Sequence, residues 1–202
     1  MTASLPGMTD SGRALRSRRA LLVALFVDNY GTGTFLPLAL VFATRVVGLR
    51  VDTAGTVVAA AGLLGLLVPP VAGRLSHRVG PRAVVVLSQV VQAAGAAAYL
   101  VAEGAAGVFV AAALLAVGTQ AFYCAVFVMV ADVSGEASAE RPFARLAMVR
   151  AAGFGLGNLT SALTLTLGGT DALPWLVVLD VATYLVAAGM LGLLVDVRAR
   201  PT

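Results

Sequence analysis

Long apolar runs separated by short polar breaks restrict the fold of this chain more than any other feature of its sequence. A helix needs about 20 apolar residues to cross the hydrocarbon core of a bilayer. Six runs reach that length, at about 20–44, 53–72, 83–102, 105–131, 146–168 and 174–195. Of the 202 residues 59% are hydrophobic and only 12% are charged, about half the charged fraction of a soluble domain. The sequence therefore predicts an all-α membrane protein with six transmembrane helices in the lipid bilayer.

The basic residues predict the orientation of these helices. All 14 are arginines, and they lie at or beyond the ends of the apolar runs. One side of the predicted membrane receives twelve of them: Arg13, Arg16, Arg18, Arg19, Arg74, Arg78, Arg82, Arg141, Arg145, Arg150, Arg198 and Arg200. Only Arg45 and Arg50 fall on the other side. By the positive-inside rule, residues 1–19 form a basic cytoplasmic tail, 20–196 a six-helix bundle, and 197–202 a cytoplasmic C-terminal tail of a multi-pass cell (inner or plasma) membrane protein.

The composition also argues against several function classes. Arginines divided among short gaps do not form the continuous basic face that nucleic acid requires, so no nucleic-acid partner is predicted. The chain has one histidine and one cysteine, Cys124, and lacks the H-E-x-x-H, G-x-S-x-G and phosphate-loop motifs. We therefore predict neither an enzyme nor a bound cofactor or metal ion.

The segment from Gly73 to Arg82, between the second and third runs, carries the most specific motif. It reads G-R-L-S-H-R-V-G-P-R and is predicted to be a compact loop. It resembles the signature G-x-L-x-D-R-x-G-R-R of the major facilitator superfamily, with matches at Gly73, Leu75, Arg78, Gly80 and Arg82. His77 stands where that signature has an acid, so this position has no fixed negative charge. Residues 28–37 and 179–185 also look like the first and sixth helices of bacterial exporters in that superfamily.

The resemblance implies an N-terminal six-helix half built from two three-helix repeats. It implies small-molecule transport, with efflux favoured over uptake, by alternating access of this half against a second six-helix half. That second half is expected from the same or a separate chain. The alternatives are a half-size transporter that works as a homodimer and a membrane scaffold or accessory protein that transports nothing.

Polar residues within the runs are the candidates for the pathway or its coupling. Charged groups inside a membrane normally face a cavity or a partner. The candidates are Asp28, Asn29 and Thr32 in the first run, Gln120 and Tyr123 in the fourth, Arg150 and Asn158 in the fifth, and Asp180 in the sixth.

Each of these candidates has a structural alternative. Asp28 can instead reach the cytoplasmic interface. Arg150 lies on a stripe of small residues that includes Gly153 and Gly157, which favours close helix packing. Polar residues of the third run, such as Gln89 and Gln92, are predicted to form interhelical hydrogen bonds.

The resemblance also implies a gate on the cytoplasmic side. Asp132, at the end of the fourth run, is expected to pair with Arg78 or Arg82 in one state and to separate from it in another. The alternative is a surface ion pair worth less than about 1 kcal/mol.

Overall fold

The computed structural model describes residues 7–134 and 140–194, with side chains described for 16–130 and 143–194. Regular structure in these ranges is entirely helical. Eight α-helices follow one another along the described chain: α1 (Gly7–Phe35), α2 (Ala39–Arg45), α3 (Val51–Gly65), α4 (Val68–Val79), α5 (Pro81–Leu100), α6 (Gly104–Ser134), α7 (Glu140–Gly168) and α8 (Leu173–Leu193). The all-helical class predicted from the apolar runs is confirmed.

Five helical segments within the described ranges are long and apolar enough to cross a membrane: Arg16–Arg45, Val51–Val79, Pro81–Leu100, Gly104–Val130 and Phe143–Leu193. The last has 51 residues and contains a short 3-10 turn, Gly169–Ala172, between α7 and α8. Gly169 in that turn has φ +61°, a left-handed conformation that glycine adopts without strain.

Prolines divide the first two segments. Pro37 lies in the 3-10 turn Leu36–Leu38 between α1 and α2, and Pro69 and Pro70 open α4 just after α3 ends. Proline has no N–H to donate to the preceding turn, so the helical ladder is interrupted at both places. Each pair of helices therefore covers one predicted apolar run.

The segment 73–82 is not the loop that the sequence predicts. Helix α4 continues through His77 and Arg78 to Val79, and α5 begins at Pro81. Gly80 alone separates the two helices, with φ +85° and ψ 150°. No residue from 74 to 79 is a glycine or a proline, so the helix continues, whereas a glycine followed by a proline ends one helix and starts the next.

The helices α1 and α7 likewise begin before the apolar runs they contain, at Gly7 and Glu140. A helical backbone satisfies its own hydrogen bonds, so it continues beyond the residues that lipid can cover.

The helices pack in a pattern that repeats between the two halves of the chain. Helix α1 packs against α7 and α8, while α6 packs against α5 and against α3 and α4. Helices α5 and α8 pack against each other. Helix α1, the first segment of the first half, thus contacts the second and third segments of the second half. Helix α6, the first segment of the second half, likewise contacts the second and third segments of the first half.

The interior has two apolar clusters with a polar layer between them. Along α1, Leu21 and Leu25 belong to one cluster and Phe35 and Phe42 to the other. The rings of Phe35 and Phe42 meet edge to face at 5.8 Å. Buried polar side chains of α1 and α5 lie between members of the two clusters in sequence: Asp28, Asn29, Thr34, Ser88, Gln89 and Gln92. On α8, Asp180 and Thr183 are buried against Gly31 of α1. The polar groups therefore occupy the middle of the bundle.

Candidate functional site

Asp28 is the centre of this polar layer. Its side chain is 4% exposed, and both carboxylate oxygens accept hydrogen bonds from amides. Nε2 of Gln89 on α5 donates to Oδ1 at 2.7 Å, and Nδ2 of Asn29 donates to Oδ2 at 3.0 Å. Asp28 therefore lies inside the bundle. The interfacial alternative would require this side chain to lie at a helix end.

Arg150 on α7 reaches the same cluster through Asn29. Its Nε donates to Oδ1 of Asn29 at 3.3 Å, while Nδ2 of Asn29 also donates to the carbonyl of Leu25 at 2.9 Å. The guanidinium donates to the hydroxyl of Tyr123 on α6, and its Cζ lies 4.5 Å from the centre of that ring. Both predicted residues, Tyr123 and Arg150, therefore join the Asp28 cluster. Among the side chains described, no carboxylate lies within ion-pair distance of Arg150.

Helix α8 contributes Asp180 and Tyr184 to the layer. The hydroxyl of Thr32 on α1 donates to the backbone carbonyl of Asp28 at 3.0 Å. Thr32 also shares a 3.1 Å hydrogen bond with the hydroxyl of Tyr184. A hydroxyl has one proton to donate, so Tyr184 is the donor in that second bond. Asp180 is 1% exposed, and within the described part of the chain its Oδ1 has no hydrogen-bond partner.

Glycines on α1 and α7 allow these side chains to meet. A Cβ on Gly153 would lie 2.6 Å from the carbonyl oxygen of Phe26, and one on Gly157 would overlap the carbonyl oxygen of Tyr30. On the other side of α1, Gly31 lies against Thr183 and Asp180 of α8. The small residues of α7 thus pack closely against α1, while Arg150 on the same stripe enters the polar cluster.

Two predicted pathway residues lie outside the cluster. The amide of Asn158 donates to the carbonyl of Phe154 on its own helix at 2.8 Å. Gln120 lies against α3, with its Cγ 3.3 Å from where a Cβ on Gly65 would be.

Gln89 and Tyr184 are members of the cluster that the sequence did not single out as pathway candidates. The interhelical bonding predicted for the third run is confirmed by Gln89, and by Gln92, whose Oε1 accepts from Thr119 at 3.0 Å. A glutamine in the middle of an apolar run was the available signal for Gln89. Its partner, 61 residues away, follows only from the packing of α5 on α1.

The motif residues lie at one end of α4, α5 and α8. His77 and Arg78 are exposed, and Gly73, Leu75 and Gly80 are partly buried. The guanidinium of Arg82 donates to the carbonyls of Leu191, at 3.2 Å, and of Gly192. Arg82 therefore satisfies carbonyls in the last turn of α8. Asp132, the other half of the predicted gate pair, has a side chain outside the described residues.

Comparison with curated proteins finds no significant match. Residues 21–202 match the family model described as Major Facilitator Superfamily. That match covers most of the chain and agrees with the helical architecture and the motif at 73–82. The chain belongs to the Major Facilitator Superfamily, a family of multi-pass membrane proteins that transport small solutes and are not, in general, enzymes.

Proposed function

We propose that the protein exports small molecules by alternating access, with the polar cluster around Asp28 as its functional site. The observation that carries this proposal is the hydrogen-bonded network itself, which joins α1, α5, α6, α7 and α8 in the middle of the bundle. Buried ionisable groups in a membrane protein are costly to maintain. A network of them between helices that must move is expected in a transporter and is unnecessary in a passive scaffold.

We propose that the chain crosses the cell membrane six times, with both termini in the cytoplasm. The arginine distribution supports it, and one of the two arginines on the opposite side, Arg50, pairs with Asp52 at 3.1 Å. The glycine-containing turn between α7 and α8 supports two crossings within the 51-residue segment. The repeated packing around α1 and α6 is what two three-helix repeats would give.

The proposed mechanism also requires a second six-helix unit, from the same or another chain. In the segment formed by α3 and α4, only 17% of the apolar 18-residue window is buried within the bundle. Leu63, Leu66, Leu67 and Val71 on this segment are exposed. Lipid covers such a face or a second unit packs on it, and alternating access needs the second unit as the opposite wall of the pathway. The pairing of Asp132 with Arg78 or Arg82 belongs to the same proposal as its cytoplasmic gate.

Ethidium expulsion from an efflux-deficient bacterial host tests the transport proposal. The chain is expressed alone, as a fused tandem of two copies, and with a separately encoded second unit. Asp28→Asn is expected to reduce expulsion to the level of cells without the protein, whereas the matched control Asp52→Asn, on an exposed side chain, keeps it.

Two results would contradict this proposal. One is an absence of expulsion in all three arrangements for ethidium and for a panel of toxic cationic, neutral and anionic compounds. The other is a folded Asp28→Asn protein that exports as well as the wild type. If only changes at Gly153 or Gly157 abolish its cellular effect, the scaffold alternative is favoured. A stable dimer of active single chains by native mass measurement would select the half-size homodimer.

A further inference from the structure

A groove runs along the outside of the bundle, where α5 packs against α8. Its volume is about 520 Å³, which is within the usual range of ligand sites. Leu87 and Val90, on the α5 side of the groove, are 52% and 46% exposed. The groove therefore opens to the surroundings of the bundle and not to the polar layer inside it. Of its lining residues in the described chain, Arg82 alone has a polar side chain.

The apolar lining extends away from Arg82 along one face of α5. Ala83, Val86, Leu87 and Val90 line the groove, and residues spaced three or four apart share a helix face. The distance from Arg82 to Val90 is about 12 Å along the helix axis. The groove thus has a cation at one end and a strip of hydrocarbon leading from it. A ligand that matches both parts has an anionic group joined to an apolar chain.

Gly192 of α8 leaves room for such a chain. A Cβ on Gly192 would lie 3.7 Å from Cγ2 of Val86, which is an ordinary van der Waals distance. A side chain at this position would therefore extend over the α5 side of the groove without displacing it. Gly189 of the same helix has no atom within 4 Å of where its Cβ would be. A side chain can thus be added inside the groove at one position and outside it at the other.

The guanidinium of Arg82 is held in place, with most of its donors still available. Its Nε donates to the carbonyl of Leu191 at 3.2 Å, and Nη2 donates to the carbonyl of Gly192. An arginine side chain has five N–H donors, so three remain, two of them on Nη1. Guanidinium groups bind phosphate through such parallel N–H donors. Arg82 is therefore oriented by α8 and can still bind an anion.

The charge of Arg82 is not balanced within the described part of the chain. Among the side chains described, no carboxylate lies within ion-pair distance of it. The two backbone carbonyls orient the cation but do not neutralise it. Arg74 and Arg78, towards the same end of α4, are exposed and add to the positive charge. Basic pockets between transmembrane helices bind the phosphate groups of anionic lipids. A small soluble anion would use the cation but not the apolar strip.

We propose that this groove binds an anionic phospholipid of the surrounding bilayer. Its phosphate lies against Arg82, and one acyl chain lies along Val86, Leu87 and Val90. The lipid contacts both α5 and α8 at the end of the bundle where Gly80 joins α4 to α5. The inference goes beyond the transport function and depends neither on the solute nor on the direction of transport. The proposed topology adds only that the lipid belongs to the cytoplasmic leaflet.

Native mass spectrometry of the full chain in micelles with added lipid measures this binding. Phosphatidylglycerol is compared with phosphatidylethanolamine that has the same acyl chains. The wild type is expected to bind its first phosphatidylglycerol about fivefold more tightly, the effect of one arginine on an anionic lipid. Arg82→Gln should abolish this preference, because its amide can still donate to α8 but has no charge. Arg74→Gln, which removes the same charge from outside the groove, should keep the preference.

A second pair of variants tests the apolar part of the groove. Gly192→Leu places a side chain where the acyl chain is expected. It should weaken the first binding of both lipids about tenfold, as the loss of two buried methylene groups would. Gly189→Leu, the same change in open space on the same helix, should bind both lipids as the wild type does.

Three results would overturn the proposal. One is equal binding of the two lipids by the wild type. Another is an equal loss of preference in Arg82→Gln and Arg74→Gln, which would indicate general attraction to a basic surface. The third is unchanged binding by Gly192→Leu. A dimer that excludes the lipid would show a second copy of the chain in the groove, and it would overturn the proposal too.

If Gly192→Leu does not fold, photocrosslinking of the wild type decides the position of the acyl chain. Phosphatidylglycerol with a diazirine on one acyl chain should crosslink to residues 79–90. Crosslinks confined to the exposed leucines of α3 would refute the proposal. No solute is used in these measurements, so their failure leaves the transport function untouched. Lipid binding as expected, in a protein that moves no solute, would overturn the transport function alone.

Discussion

The side-chain amide of Asn29 joins the positive and the negative group of the cluster. Its nitrogen donates to Asp28 and its oxygen accepts from Arg150, so each end of the amide faces the charge that suits it. An amide bridge separates the two ions while keeping both hydrogen-bonded. If α7 moves and the bridge opens, each charge therefore keeps another hydrogen-bonding neighbour.

Gln89 provides a residue-scale prediction. Gln89→Leu removes the 2.7 Å hydrogen bond to Asp28 and leaves one oxygen of a buried acid without a donor. The expected cost is about 1–3 kcal/mol of unfolding free energy, measured by reversible unfolding of the purified protein in mixed micelles.

Gln120→Leu is the matched control for this prediction, since no hydrogen bond to its amide is found among the described residues and it lies against α3. Equal losses of stability in the two variants would show that the Gln89 hydrogen bond contributes nothing to the fold.

At the scale of elements, the packing of α1 against α7 depends on backbone contact. Gly157 lies against the carbonyl of Tyr30 with no room for a Cβ, while a Cβ on Gly155 of the same helix would meet nothing within 4 Å. Gly157→Ala is therefore expected to lower the unfolding free energy by about 1–3 kcal/mol, the usual cost of overpacking. Gly155→Ala should raise it by up to about 1 kcal/mol, the gain in helix propensity.

Thermal unfolding of both variants in the same lipid mixture tests this difference. The opposite signs of the two changes in unfolding free energy matter more than their sizes, because both substitutions add the same methyl group to the same helix. A Gly157→Ala protein as stable as Gly155→Ala would contradict the close packing of α1 and α7.

The sequence predicted helices well and their ends less well. Apolar runs locate the part of a helix that a bilayer can cover, but α4 continues through polar residues as far as Val79 because its backbone bonds do not depend on lipid. Asp28, Tyr123 and Arg150 were predicted as pathway candidates from the sequence and the family resemblance, and they lie in one cluster. Gln89 and Tyr184 were not, because what makes them members of the site is a partner on another helix, and that follows from packing.

At the scale of the whole molecule, the proposed topology makes a direct prediction. Two single-cysteine reporters are made in a Cys124→Ser background. His77→Cys places the thiol at the exposed end of α4, and Asp171→Cys places it in the exposed turn between α7 and α8. An impermeant maleimide should label Asp171→Cys in intact cells, and it should label His77→Cys only after the membrane is opened.

Labelling of both sites from the same side would contradict six crossings with cytoplasmic termini. Val46→Cys, exposed after α2, is the second reporter for the outer side and should behave as Asp171→Cys does.

Gly80 has a consequence for how this molecule can move. A single residue connects α4 to α5, and its backbone angles are open to glycine almost alone. The ends of the two helices therefore stay one residue apart, while rotation about the two backbone torsions of Gly80 changes the angle between them. Arg82, near the start of α5, is hydrogen-bonded to α8. A tilt of α4 about Gly80 therefore takes place relative to α5 and α8 together.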